Sequence, residues 1–149
     1  MNRELLVEPV HASEPNLLAE LDRACFEAPW GEQSWRDELA AANTRQFLGR
    51  TRAGQVVAYA SVSLVADEAE IRRIAVLPEH RRQGFGQGFL AELLGNLKAA
   101  GARHVYLEVR ASNGAARALY AAAGFVEDRI RAGYYRAPPE DGVDLSRGL

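Results

Sequence analysis

The sequence predicts a mixed α/β domain with a largely antiparallel front half. Three observations carry that reading. Strand-like segments follow one another across Arg45–Arg50, Gln55–Val65 and Glu68–Val76, with only short turns between them. A strongly periodic helix then runs from Gly84 to Ala100. Beyond it, apolar and polar residues alternate strictly over His104–Val109.

The elements follow in order. Leu5 to Val10 reads as a first strand. Ser13 is placed as the N-cap of a helix from about Pro15 to Phe26, with Leu17, Leu18, Leu21 and Cys25 on one face. Pro29 breaks that helix, and a second spans Glu32 to Ala42. The Ala53-Gly54 turn joins two of the three central strands, and Pro78 stops the last of them. In the helix from Gly84, residues Phe85, Phe89, Leu90, Leu93, Leu94 and Leu97 share a face, and Gly101 ends it. Val105, Leu107 and Val109 then face one way, and His104, Tyr106, Glu108 and Arg110 the other. Asn113 caps an Ala-rich helix to Ala123, closed by Gly124, and Phe125 to Tyr135 is one more strand. The tail after Pro138 is polar and reads as weak.

The 149 residues fit one domain, 1–149, and are too few for two good cores. Hydrophobic residues at 48% and charged residues at 26% argue against disorder. No apolar run approaches the ~20 residues of a membrane span, and no signal-peptide pattern opens the chain, so a cytoplasmic protein without a membrane partner is expected. A single cysteine, Cys25, excludes an internal disulfide and a Cys-based metal cluster. His11, His80 and His104 lack metal-ligand spacing, so no metal is expected. A net charge of −2 gives no pointer to nucleic acid. The charge is uneven, however. Residues 1–70 hold 6 Lys/Arg against 12 Asp/Glu, whereas residues 71–110 hold 7 against 3. A basic middle segment suits an anionic ligand, although scatter in an Arg-rich chain gives the same imbalance.

The run Arg81-Arg82-Gln83-Gly84-Phe85-Gly86 sits between a strand and the clearest helix. Helix N-termini expose unpaired N–H groups and partial positive charge. Gly84, Gly86 and Gly88 permit close backbone approach, and the arginines add charge, which together describe a pyrophosphate cradle. It is not a P-loop, which ends G-K-[ST], nor a dinucleotide fingerprint, since the glycines run G-x-G-x-G. A glycine-rich turn with solvated arginines is the plain alternative.

That run, following Ile74-Ala75-Val76-Leu77-Pro78, resembles the acetyl-CoA motif of the GNAT superfamily of N-acetyltransferases. Phe26-Glu27-Ala28-Pro29-Trp30, Leu107-Glu108-Val109-Arg110-Ala111-Ser112-Asn113, Ala118-Leu119-Tyr120, Gly124-Phe125 and Tyr134-Tyr135 are similar to one branch, the bacterial ribosomal-protein alanine N-acetyltransferases. The match runs from about residue 5 to 141. It implies a mostly antiparallel, splayed sheet of six to seven strands with about four helices, acetyl-CoA as co-substrate, and the N-terminus of a ribosomal protein as acceptor. A monomer or weak oligomer without a nucleic-acid partner is expected. By the same resemblance, the backbone of Ile74, Ala75 and Val76 holds the pantetheine, and Arg82, Gln83, Gly84, Phe85, Gly86 and Gln87 hold the pyrophosphate. Asn113 touches the cofactor near its thiol, Glu108 is the proton acceptor and Tyr120 the proton donor. The chain departs from the family at its end, where only Val143 and Leu145 mark a closing strand, and that strand is expected to be short.

The residue types suit the chemistry. Amide formation needs a deprotonated amine, a polarised thioester carbonyl, a protonated leaving thiolate and aligned reactants. An unperturbed glutamate pKa of ~4.3 makes a weak base for an ammonium unless burial or a water relay helps. A tyrosine at ~10 stays protonated, and a backbone N–H near Val76 could stabilise the oxyanion. The plain alternatives are a solvent-facing strand residue for Glu108, a core aromatic for Tyr120, and a helix cap for Asn113. Cys25 reads as packing, and Tyr134 and Tyr135 as groove or sheet fillers. Two other functions compete: acetylation of a small-molecule amine, and a non-catalytic acyl-CoA-binding module.

Overall fold

Four strands pair in chain order at one end of a single sheet in the computed structural model, which describes residues 5–10 and 14–149. They are β1 (Leu6–Pro9), β2 (Thr44–Arg50), β3 (Val56–Val65) and β4 (Glu68–Val76), each antiparallel to the next. Helices α1 (Pro15–Cys25) and α2 (Glu32–Ala40) are inserted between β1 and β2. The chain continues through α3 (Phe85–Ala99), β5 (His104–Arg110), α4 (Gly114–Ala122), β6 (Val126–Arg136) and β7 (Pro139–Gly148). The expected cap Ser13 lies outside the described residues. The helix α2 stops at Ala40 rather than Ala42, where the Thr44 hydroxyl donates to the carbonyls of Glu38 and Ala41.

The sheet order is β1-β2-β3-β4-β5-β7-β6. The tail is the main departure from expectation. It forms a full strand of 10 residues, placed between β5 and β6, and paired with both. Its two apolar residues suffice because only one face needs burying: Val143 and Leu145 are both 1% exposed. Two backbone ladders supply what side-chain periodicity could not advertise.

One junction is parallel. β4 and β5 pair only at Glu68↔His104, Ala69↔Val105 and Glu70↔Tyr106. Beyond that point β4 runs on to Val76 and β5 to Arg110 without pairing to each other, so the sheet forks. Each face carries its own core. The apolar face of α3, including Phe89, Leu90, Leu93 and Leu97, packs with Val105, Leu107, Val143, Leu145 and Tyr120. On the opposite face α1 and α2 bury Leu18, Ala19 and Trp35 against Leu48 and Tyr59. Among the described residues no helix is long and apolar enough to cross a membrane.

Candidate active site

The edge of β4 that faces the fork is set by its register with β3. The Leu77 N–H donates to the Val57 carbonyl at 2.8 Å, which makes 57↔77 a hydrogen-bonded pair. Antiparallel ladders alternate, so Ala75 turns its backbone groups to β3, while Ile74 and Val76 turn theirs away, toward the fork. Of the three residues expected to offer backbone along an open edge, Ile74 and Val76 do so, and Ala75 can offer only its side chain. The Val76 carbonyl accepts from Arg81 Nε at 2.9 Å, with Cys25 Sγ 3.9 Å away. Burial raises the Cys25 thiol above its ordinary pKa.

The turn before α3 is built on two left-handed residues, Arg82 (φ 61°) and Gly84 (φ 85°). The first bond of the helix runs from Gly88 N–H to the Gly84 carbonyl at 3.2 Å, leaving the amides of Gly86 and Gln87 ahead of it without an intrahelical acceptor. A β-carbon added at Gly86 would lie 3.6 Å from the Leu119 side chain and 3.8 Å from Val76, so the turn, the end of β4 and α4 meet there. The Gln83 side chain braces the turn, donating to the Glu79 carbonyl at 3.1 Å. Phe85 is buried in the core, so it has only backbone to present. Arg82 and Gln87 are exposed. Amides converge on a helix N-terminus, cationic residues flank them, and no acid occurs from Arg81 to Gly88, which fits a pyrophosphate group.

Glu108 and Tyr120 lie on opposite sides of β5. Glu108 shares the open face with Asp144, its cross-strand partner on β7. Its carboxylate stands 4.0 Å from Arg131, and its negative charge near the Tyr134 hydroxyl pushes that tyrosine's pKa up to about 12. Tyr120 comes from the other side, 4% exposed on α4, its ring 5.6 Å from Phe125. Its hydroxyl has no hydrogen bond among the described residues, and burial raises its pKa. The fork between β4 and β5 is the opening in the sheet between the two faces. Asn113 caps α4 where it follows β5, its Oδ1 accepting from Ala116 N–H at 3.1 Å.

The sequence reading missed the polar cluster beside this fork. Asp22, fully buried, accepts from the Tyr59 hydroxyl, from the Trp30 N–H at 2.7 Å, and from both arms of Arg73 at 2.9 and 3.0 Å. Burial, then Asp22, drives the Tyr59 pKa well above its ordinary value. Nearby, Glu38 accepts from Arg72 Nε and from the Ser61 hydroxyl, both at 2.7 Å. A bulge explains how adjacent arginines reach the same side. Ser61 pairs with Arg73 and Val62 with Ile71, so Arg72 is the extra residue. One signal was available: Asp22 falls four residues after Leu18, on the buried stripe of α1.

A concavity of about 490 Å³, lined by residues that include Pro9, Leu39, Gln46 and Asn96, lies at the β1–β2 end, away from the fork. No group of three or more His, Cys, Asp or Glu among the described residues could hold a metal ion.

Known proteins match this arrangement. The sequence model of the Acetyltransferase (GNAT) family matches residues 16–125. A ribosomal protein bS18-alanine N-acetyltransferase of Escherichia coli K12 is 40% identical over 116 residues, 76% of this chain and 74% of that protein. The crystal structure of the ribosomal-protein-S18-alanine N-acetyltransferase from Escherichia coli superposes with a TM-score of 0.88 at 31% identity, covering 97% of this chain and 94% of the other. A mutant of the spermidine N-acetyltransferase from Vibrio cholerae shares the fold at a TM-score of 0.82, with 18% identity over 99% of this chain and 95% of that one. The family's acetyl donor is acetyl-CoA. The chain belongs to the Acetyltransferase (GNAT) family and is an N-acetyltransferase.

Proposed function

We propose that this enzyme transfers the acetyl group of acetyl-CoA to the N-terminal α-amine of a protein, an alanine of a ribosomal protein, with Glu108 as proton acceptor and Tyr120 as proton donor. The observation that carries the reading is the 40% identity to a bS18-alanine N-acetyltransferase across three quarters of the chain. The placement of Glu108 supports it. That carboxylate lies on an open sheet face beside exposed Tyr106 and Tyr134, which suits a polypeptide end better than a small amine held in a closed pocket. The fold alone does not choose, since a spermidine enzyme shares it.

Acetyl-CoA supplies the acyl group as a thioester. The amides of Gly86 and Gln87, with Arg82, Gln83, Gly84 and Phe85 shaping the turn, hold its pyrophosphate. The fork-facing backbone of Ile74 and Val76 aligns the pantetheine, with the Ala75 side chain beside it, and Asn113 approaches the sulfur. The acceptor ammonium enters from the open face and gives its proton to a Glu108 oxygen, directly or through one water. The Val76 N–H points into the fork, where it can donate to the carbonyl oxygen as negative charge develops. Tyr120 stays protonated, because burial raises its pKa, and gives its proton to the departing sulfur as the C–S bond breaks, while the second proton lost by the amine nitrogen returns to the tyrosine oxygen. Chemistry favours an α-amine as acceptor. At pH 7 its deprotonation costs about 3 kcal/mol less than that of a lysine, given pKa values of ~8 and ~10.4.

Product mass tests the reading. Two peptides are offered with acetyl-CoA, one with a free N-terminal alanine and blocked lysines, the other with a blocked N-terminus and free lysines. One acetyl group on the first alone is expected. Acetylation of neither would move the assignment to a small-molecule amine.

A further inference from the structure

Arg73 ties β4 to the segment between α1 and α2, and nothing in the reaction chemistry above uses it. Its guanidinium forks onto the buried Asp22 carboxylate of α1 and also donates to the Ala28 carbonyl at 3.2 Å. Its charged carbon lies 3.6 Å from the centre of the Phe26 ring and 5.0 Å from that of Trp30. The same Asp22 takes the Trp30 N–H. One arginine on β4 thus fastens three residues of the segment between α1 and α2, Phe26, Ala28 and Trp30, and Asp22 holds Trp30 a second time. The attachment point is the residue before Ile74, whose backbone faces the fork. Arg73 and Ala75 lie on the α1/α2 face of β4, and Glu108 lies on that same face of β5. The fastened segment, residues 26–30, therefore packs on the same sheet face that carries Glu108.

We propose that Arg73 is a positioning residue that fixes residues 26–30 as the acceptor-side wall, so that it governs affinity for the acceptor amine and not for acetyl-CoA. The inference rests on the entrance described under the proposed function. Lysine cannot replace it, because an ammonium makes a point contact where the guanidinium makes a planar fork and a stack. Arg72 provides an internal comparison. It also pairs with a buried carboxylate, Glu38, but among the described residues it makes no hydrogen bond or ring stack with residues 26–30.

The test compares wild type, Arg73→Lys and Arg72→Lys, using the alanine-starting peptide as acceptor. Two quantities are read: steady-state KM for each substrate, and amide exchange of the Trp30 N–H, which reports opening of the wall without any substrate. In Arg73→Lys the acceptor KM should rise about tenfold or more, with acetyl-CoA KM within about twofold of wild type, and Trp30 exchange should accelerate by a similar factor. Arg72→Lys should leave all three near wild type. If the two variants behave alike, or the acceptor KM does not move in Arg73→Lys, the proposal is wrong. Should Arg73→Lys fail to fold, Phe26→Leu removes the stacked ring while keeping the buried pair, and it must raise the same KM. A wild type inert toward the peptide would sink the proposed acceptor alone, and the same comparison would then be read on spermidine.

Discussion

Gly49 on β2 and Phe89 on α3 touch so closely that a β-carbon at position 49 would stand 2.8 Å from Phe89 Cδ1. Phe89 is fully buried in the main core and has no room to retreat. Gly49→Ala is therefore expected to destabilise the fold by about 1–3 kcal/mol, the usual cost of overpacking. For a chain of this size that lowers Tm by about 2–4 °C per kcal/mol, which a thermal melt would show. An unchanged melt would mean that β2 and α3 are not pressed together as described.

Glu108→Gln should lower kcat/KM for the alanine peptide by roughly 100- to 10,000-fold if the carboxylate accepts the amine proton. Acetyl-CoA binding should persist, because Glu108 lies on the open face and the phosphate turn lies at α3. Calorimetry on the variant separates the two effects.

Tyr120→Phe should be silent in stability yet slow in turnover. The hydroxyl has no partner to lose among the described residues, so the melt should stay where it is. Turnover should fall by roughly 100-fold if that hydroxyl meets the departing sulfur. Wild-type turnover in Tyr120→Phe would remove the tyrosine from the reaction.

Asn113 carries a cap and a proposed cofactor contact, and two substitutions divide them. Asn113→Ala loses the bond from Ala116 N–H, at an expected cost of about 0.5–2 kcal/mol. Asn113→Asp keeps a capping oxygen and should restore stability, while replacing an amide donor with a charge. A raised acetyl-CoA KM in both variants would mark a cofactor ligand. A normal KM in Asn113→Asp would leave Asn113 as a cap only.

Asp144 gives the fold a signature in acid. Partial burial pushes its pKa up, but the hydrogen bonds from Arg129 and Arg131 outweigh that and hold it below the ordinary value. A depressed carboxylate contributes stability that is full above its unfolded pKa, about 3.9, and lost as pH falls through the lower folded value. Asp144→Asn should therefore melt below wild type at neutral pH, with the gap closing below about pH 4. A gap that stays constant across the titration would mean the arginines do not favour the charged form.

Local periodicity determined much of this protein. The helical recurrence from Phe85 to Leu97 and the alternation from Val105 to Val109 were legible because each is a property of neighbours in the chain. The glycines and arginines of the 81–86 turn were legible for the same reason, since the chemistry sits in one short run. What the tertiary structure decided is non-local. The polar tail became an interior strand because β5 and β6 both offered it a ladder, and backbone pairing leaves little trace in side-chain pattern. The orientation of Ala75 toward β3 followed from register, which a one-residue slip would have reversed. Asp22 and Arg73 are separated by 51 positions, and only the packing of α1 across β4 brought the buried carboxylate and the partly buried guanidinium together.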